Sequence, residues 1–297
     1  MITILFDGIE ANGPFLPILK KLSNNLSAII NVPSFDFETE FNIHVSPSLS
    51  LLLKKLTPRR RWVGGGYRLS SMLRKLNLAD VNVSDFDLMI SILLTIWLKS
   101  ELSLVDFYHK ISESLGIRYR ILPLLSPLPC LTIEMESGTE INPIQFMEKG
   151  YTEKIKKLKY CNLEKAKIID ETKEVLEDSD IILLFQVAPV TMYFLKSIGS
   201  LKKTIENFKG TIIYFLPETL KDMDRKFLSL SGYDENLYGL IKMAHEQVDA
   251  IIFDERNQDL ITNLTDVKVT FYPIPYEFGS RNGLKNFIEN ILKVLQQ

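Results

Sequence analysis

Three short runs constrain this chain most: DIILLF ending at Phe185, GTIIYFL ending at Leu216 and DAIIFD ending at Asp254. Each is an unbroken apolar stretch of strand length. Such a run has no polar side to offer water, so a strand built from it must be covered on both faces. A parallel sheet flanked by helices provides that environment. Further strand candidates are Ile2–Phe6, Leu26–Val32, RYRILPL, CLTIEM and VKVTFYPI. Helical patterns lie between them, around Phe15–Ser23 and in SLVDFYHKISESLG, VTMYFLKSIGSLKKTIENFKG and RNGLKNFIENILKVLQQ. Gly116 and Gly210 stand where a glycine ends a helix. The alternation predicts an α/β fold with a mostly parallel, doubly wound sheet. We expect a single domain over 1–297, with a more helical lobe at about 40–115 over the carboxyl edge of the sheet. That edge is where open α/β sheets bind ligands.

Composition narrows the function classes. The chain has 297 residues, a formal charge of -2 and 46% hydrophobic residues, with a pI near 6.0. No overall basic footprint points to nucleic acid. In the most apolar segment, DLMISILLTIWLKSELSL, the uncharged stretch Leu88–Leu98 falls well short of the ~20 residues of a spanning helix. A buried core helix is expected there, and no membrane association. The β-rich start has no basic n-region, so no signal peptide is expected. Two cysteines, Cys130 and Cys161, form neither a disulfide framework nor a zinc pattern, and a cytoplasmic setting follows by default.

Five stretches have residues suited to chemistry. In FDGIEANGPF, Gly8 follows a strand and precedes a helix, the place of a phosphate-binding turn. Phosphate cradles use glycine because backbone N–H groups must approach closely, and Ile9, Glu10 and Ala11 oppose that. An ordinary strand-to-helix turn reads equally from these residues. NVPSFDFETEFNIHVSPS holds Asp36, Glu38, Glu40 and His44. Carboxylates there can hold magnesium beside a phosphate and His44 can act as a base, or the loop is simply solvated. RRRWVGGGYR offers Arg59, Arg60, Arg61 and Arg68 for phosphate and Trp62 for stacking, or a solvated basic loop. In NVSDFDLMIS, Asp85 sits at a helix start, where it can cap the amides beyond it and stabilise the dipole, and Asp87 then lies in the first turn. DAIIFDERNQD ends a buried strand in Asp254, Glu255 and Arg256, a pattern suited to a local ion-pair network. His109 and His245 lie on helical patterns without partners nearby in sequence.

Taken in order, these segments resemble the 2-phospho-L-lactate transferase family of deazaflavin-coenzyme biosynthesis. The resemblance rests on the opening strand and turn, NV…FD…SPSLSLLL, RRRW, SDFD, LVDFYHKISESLGIRYRILPL, QFMEKG, DIILLFQVAPVT and DAIIFDERNQD, which together cover most of the chain. It implies a Rossmann-like sheet with a helical lobe and a magnesium-dependent transfer of a phospholactyl group. The donor is guanosine-diphospho-lactate and the acceptor a deazaflavin precursor. By resemblance, Asp36, Asp85 and Asp87 are the candidate catalytic residues, with Asp36 the candidate metal ligand. Gly8, Arg61, Trp62, Pro189, Asp254 and Arg256 are candidate ligand-binding residues. The partners implied are a nucleotide or deazaflavin small molecule and a second subunit, either a like copy or a paralogue.

The chain departs from the family where ligand would be touched. The family's Gly-Gly-Thr-Gly turn is matched by Gly8, Ile9, Glu10 and Ala11. Two aspartates are replaced by Ser48 and Ser50. The Gly-Asp-Arg-Asp segment becomes Ser84, Asp85, Phe86 and Asp87, and a following histidine becomes Ser91. A Gly-Pro-Ser-Asn-Pro phosphate turn is matched by Phe185, Gln186, Val187, Ala188 and Pro189. Removing one charge-stabilising group typically costs about 3–4 kcal/mol in a barrier. Two readings of function therefore stand: a transferase with altered substrate or metal ligation, and a catalytically silent paralogue acting as a binding or regulatory subunit. An unrelated doubly wound α/β protein is the third.

Overall fold

A computed structural model of the chain describes residues 1–7, 15–58, 66–75, 83–100, 102–149, 153–198, 208–262, 264, 267–277 and 280–295. In chain order the strands are β1 (Ile2–Phe6), β2 (Leu26–Asn31), β3 (Phe37–Glu38), β4 (His44–Val45), β5 (Ile121–Pro123), β6 (Leu125–Ser126), β7 (Cys130–Met135), β8 (Glu140–Ile141), β9 (Ile155–Cys161), β10 (Lys167–Ile168), β11 (Ile181–Phe185), β12 (Thr211–Phe215), β13 (Ala250–Asp254) and β14 (Thr270–Ile274). Helices are α1 (Phe15–Leu22), α2 (Pro47–Leu56), α3 (Arg68–Lys75), α4 (Asp85–Lys99), α5 (Leu104–Ser114), α6 (Pro143–Lys149), α7 (Asp170–Glu177) and α8 (Pro189–Ser197). Those that follow span Asp222–Leu230, Leu237–Ala244, Gln258–Thr262 and Arg281–Val294. A seven-stranded parallel sheet in the order β14-β13-β12-β11-β1-β2-β5 makes the fold a Rossmann-like α/β arrangement. Residues group into two compact units, one of Met1–Ile30 with Asp170–Gln297 and one of Asn31–Ile169.

In the first unit the apolar runs behave as their composition requires. All residues of β1 and β13 are buried, as are four of the five in β11 and in β12. Parallel pairing sets Leu183 beside Ile213 and Phe185 beside Phe215. Aromatic rings then run in series through the core. Phe6 stacks on Phe15 at 4.6 Å, Phe15 meets Phe185 at 5.1 Å, and Phe185 meets Phe215 at 4.9 Å. Phe215 also meets Tyr276 and Phe287, at 5.1 and 5.6 Å. Stacked and tilted rings of this kind add to the free energy of area burial.

The second unit holds most of the departures from expectation. CLTIEM forms β7, but in a separate antiparallel sheet of order β8-β7-β9 rather than in the parallel sheet. The connection to β8 is a tight turn through Gly138 at φ +86, and so short a link joins only antiparallel neighbours. Its other neighbour, β9, carries three lysines and reads from sequence as a polar segment. The ladder explains them. Glu134 lies directly opposite Glu140 on β8, an unfavourable like-charge pair. Lys159 Nζ bridges both, at 2.7 Å to Glu134 and 2.6 Å to Glu140, and Lys156 meets Glu134 at 2.6 Å. Helix α5 ends as predicted at Gly116, φ +67: Ile117 N–H bonds the Ser112 carbonyl and Gly116 N–H that of Glu113, both at 2.9 Å, a Schellman closure. Helix α4 buries Phe86, Leu88, Ile90 and Leu94. No helix of the described residues is long and apolar enough to cross a membrane. The helix expected to run up to Gly210 ends at Ser197, and 199–207 lie outside the described residues.

Two expectations follow. Phe215→Ala opens a cavity against three aromatic partners and should cost about 3–5 kcal/mol in urea unfolding. Hydrogen bonds from Lys156 and Lys159 lower the Glu134 carboxyl from 4.5 to about 2. A depressed carboxyl stabilises the fold above its unfolded value and loses that contribution as pH falls through the folded one. Glu134→Gln should therefore flatten the acid loss of stability between pH 4.5 and 2, an effect that added salt weakens in the parent chain.

Candidate functional site

Two polar assemblies stand out, one in each unit. In the first unit, β1 and β11 are followed directly by Asp7 and Gln186. The turn after β11 starts helix α8, with Ala188 as N-cap and Pro189 as first residue. Proline suits that place because its missing N–H would be unpaired there anyway. Alanine has no side chain with which to cap. Asp7 holds the start of the helix from a distance: its buried Oδ2 accepts from Ala188 N and from Thr191 Oγ1, both at 2.7 Å. The rest of the turn is also held by the protein. Gln186 N donates to the Phe215 carbonyl at 2.9 Å, and Tyr214 OH donates to the Val187 carbonyl at 2.6 Å. Gln186 takes a left-handed φ of 48, and its buried Oε1 has no partner. Further along the edge, Arg256 pairs with Asp254 and, at 2.7 Å, with Glu218. Those partners, Asp254 first, push its already high pKa further up.

In the second unit, Asp36 is fully buried. Its Oδ2 lies 3.1 Å from His44 Nε2. Its Oδ1 accepts from Ser46 Oγ at 2.9 Å and Ser48 Oγ at 3.3 Å. The imidazole's other nitrogen, Nδ1, lies 3.4 Å from Cys130 Sγ. Backbone bonds fix this assembly: Leu131 N donates to the Asp36 carbonyl at 2.6 Å, and His44 N to Thr95 Oγ1 at 2.8 Å. Burial, and next the Asp36 charge, push the phenol of Tyr108 well above its ordinary value, against the bond from Asn31 Nδ2 at 2.9 Å. Burial likewise pushes the Cys130 thiol far up. A cavity of about 420 Å³ nearby is lined by Glu38, Glu40, Phe41 and Glu140 among others. Another, of about 250 Å³, is lined by Ser50, Tyr67, Ser84 and Asp87 with apolar neighbours. The Ser50 hydroxyl has no partner.

The remaining candidates are placed as follows. Ser84, not Asp85, is the N-cap of α4, and Asp87 completes a capping box with it. Asp87 also pairs with Lys54 at 2.6 Å. The Asp85 carboxylate instead accepts from the first amides of α3, Leu69 N at 2.9 Å and Arg68 N at 3.4 Å. Phe86 and Phe185 are core residues. Gly8, Arg61 and Trp62 lie outside the described residues. Among the described residues no group of three or more His, Cys, Asp or Glu is arranged to hold a metal. Asp7, Ser46 and Thr95 are not picked out by the sequence reading; of these Asp7, a charge directly after a buried strand, has the one readable signal.

Fold and site together define a Rossmann-like α/β protein in which a carboxylate of its own, Asp7, accepts from the N-cap amide and the Thr191 hydroxyl at the start of α8. No protein-family model matches the chain, and no curated protein does. Solved structures do. Protein BH3568 from Bacillus halodurans is similar over 98% of each chain, with TM-score 0.62 and 14% identity. A second crystal structure, of bh3568 from the same organism described as a member of the upf0052 family, matches over 98% of each chain with TM-score 0.58 and 16% identity. At these identities the likeness establishes a shared fold.

Asp36→Ala leaves His44, Ser46 and Ser48 without their buried acceptor and should cost about 3–5 kcal/mol. Ser50→Ala removes a hydroxyl that has no partner and should change stability by less than about 1 kcal/mol. Denaturant titration of both variants checks the contrast.

Proposed function

We propose that this protein is a catalytically silent relative of the 2-phospho-L-lactate transferases, serving as a binding or regulatory subunit. One observation carries the reading. Asp7 holds the Ala188 amide and the Thr191 hydroxyl at the start of α8, in the turn that matches the family's phosphate turn. An anion is drawn to a helix start by free N–H groups and the positive end of the helix dipole. Here a carboxylate already takes the Ala188 N–H and the Thr191 hydroxyl, so an incoming phosphate meets a like charge at the helix start and finds those two donors engaged.

The acidic candidates tell the same way. Magnesium needs oxygen ligands free to face it. Both Asp36 oxygens face donors, Asp85 faces backbone amides, and Asp87 faces Lys54. These residues do not suit a magnesium ion, so no catalytic step is drawn through one. What they supply instead is rigidity, since each ties two or more elements together.

The test is a thermal-shift and turnover panel with guanosine nucleotides and nucleotide-linked hydroxy acids, with and without magnesium. A ligand present at a hundred times its Kd adds about 2.7 kcal/mol to stability, a readily measured rise in Tm. We expect no rise and no turnover. A magnesium-dependent rise, or product formed from a guanylated donor, would falsify the proposal.

A further inference from the structure

We propose that Cys130 and Cys161 are a modification site: a thiol pair that closes reversibly to a cross-strand disulfide when the protein meets hydrogen peroxide. The two residues, 31 positions apart in the sequence, are direct register partners at one end of the β7–β9 ladder. Directly opposite residues of an antiparallel pair share a face of the sheet, with Cα atoms about 4.5 or 5.5 Å apart. Disulfides span Cα separations of about 4.4–6.8 Å, so the bond can form with little backbone movement. Both thiols are free, and each side chain is within interaction range of the other.

The two positions differ in the way an exposed attacking thiol and a protected resolving one differ. Cys161 is exposed and Cys130 is buried. Asn162 Nδ2, held in the left-handed turn that follows β9, lies 3.8 Å from Cys161 Sγ and donates to it. Burial keeps the Cys130 thiol protonated, which shields it from direct oxidation. Its arrangement with His44 and Asp36 has the order of a nucleophile, a base and an orienting carboxylate. A buried sulfur, however, leaves no room for an external substrate. The reactive atom set opposite it is the sulfur of Cys161.

The chemistry balances in two steps. The Cys161 thiolate attacks one peroxide oxygen, the O–O bond breaks, and hydroxide leaves to become water with the thiol's proton. Sulfur is oxidised to the sulfenic acid and peroxide is reduced. Cys130 sulfur then attacks Cys161 sulfur, the S–S bond forms as the S–O bond breaks, and the hydroxyl leaves with the Cys130 proton as a second water. Two thiols and one peroxide give one disulfide and two waters. Forming the bond draws Cys130 Sγ away from His44 Nδ1, its neighbour at 3.4 Å, so oxidation is felt at the ring that Asp36 holds.

The test treats the full chain with a stoichiometric amount of hydrogen peroxide, alkylates remaining thiols and maps peptides by mass. The expected result is a linked Cys130–Cys161 peptide, loss of both alkylatable thiols, and full recovery with dithiothreitol. Cys161→Ser, a surface change that leaves the core intact, should give no linked peptide, and its Cys130 should remain reduced. In the parent chain the His44 ring resonances should move on oxidation and return on reduction. An unreacted chain, sulfinic acid at Cys161 without a linked peptide, or a disulfide only between two chains would each overturn the proposal.

Discussion

A carboxylate removed from water must be met by donors from several elements at once, and Asp36 imposes that requirement on its unit. Its side chain is reached by His44 on β4, by Ser46 at the N-cap of α2 and by Ser48 within that helix. Its own backbone carbonyl receives Leu131 of β7. His44 is anchored in turn to Thr95 on α4. An unmet buried charge costs several kcal/mol, so these elements cannot shift independently. The carboxylate acts as a fastener, and being one is incompatible with being a freely available metal ligand.

Asp7 does comparable work in the other unit by a different route. A helix beginning Ala-Pro has unsatisfied amides and no side chain of its own at the cap. The carboxylate just after β1 anchors that start instead, through the N–H of the N-cap residue and the hydroxyl of Thr191. This joins β1 to α8 across 181 positions of sequence. In both units, then, an acidic group that sequence comparison would assign to ligand chemistry, or that stands beside such a position, satisfies a structural demand.

How much of this was legible depends on the range of the forces involved. The buried strands of the first unit are readable because burial on both faces shows as an unbroken apolar run, a purely local mark. Gly116 is readable because only the left-handed residue after a helix favours glycine so strongly. Strand β9 is not. Its lysines are paid for by Glu134 and Glu140 on neighbouring strands, and nothing within IKKLKYC announces those partners. At α4 the local pattern points to Asp85 as the cap, whereas Ser84 and Asp87 cap the helix and Asp85 serves α3. Asp36 and His44 stood out as chemistry-bearing residues. Their tie to Cys130, 86 positions beyond His44, exists only after folding.

The same distinction bears on what the retained acidic residues mean. A residue kept for binding leaves its polar atoms facing open space, whereas a residue kept for folding spends them on the chain. By that criterion Asp36, Asp85, Asp87 and Asp254 have all spent theirs, on a histidine and two serines, on helix amides, on Lys54 and on Arg256. Ser50 and Gln186 have not: each is buried with an unpartnered oxygen. Ser50 stands where the resemblance calls for an aspartate, and Gln186 where it calls for the proline of a phosphate turn. A smaller or differently shaped side chain now occupies each place, without a network rebuilt around it. Such unpaired atoms cost stability, so neither oxygen has the structural role that the four carboxylates have.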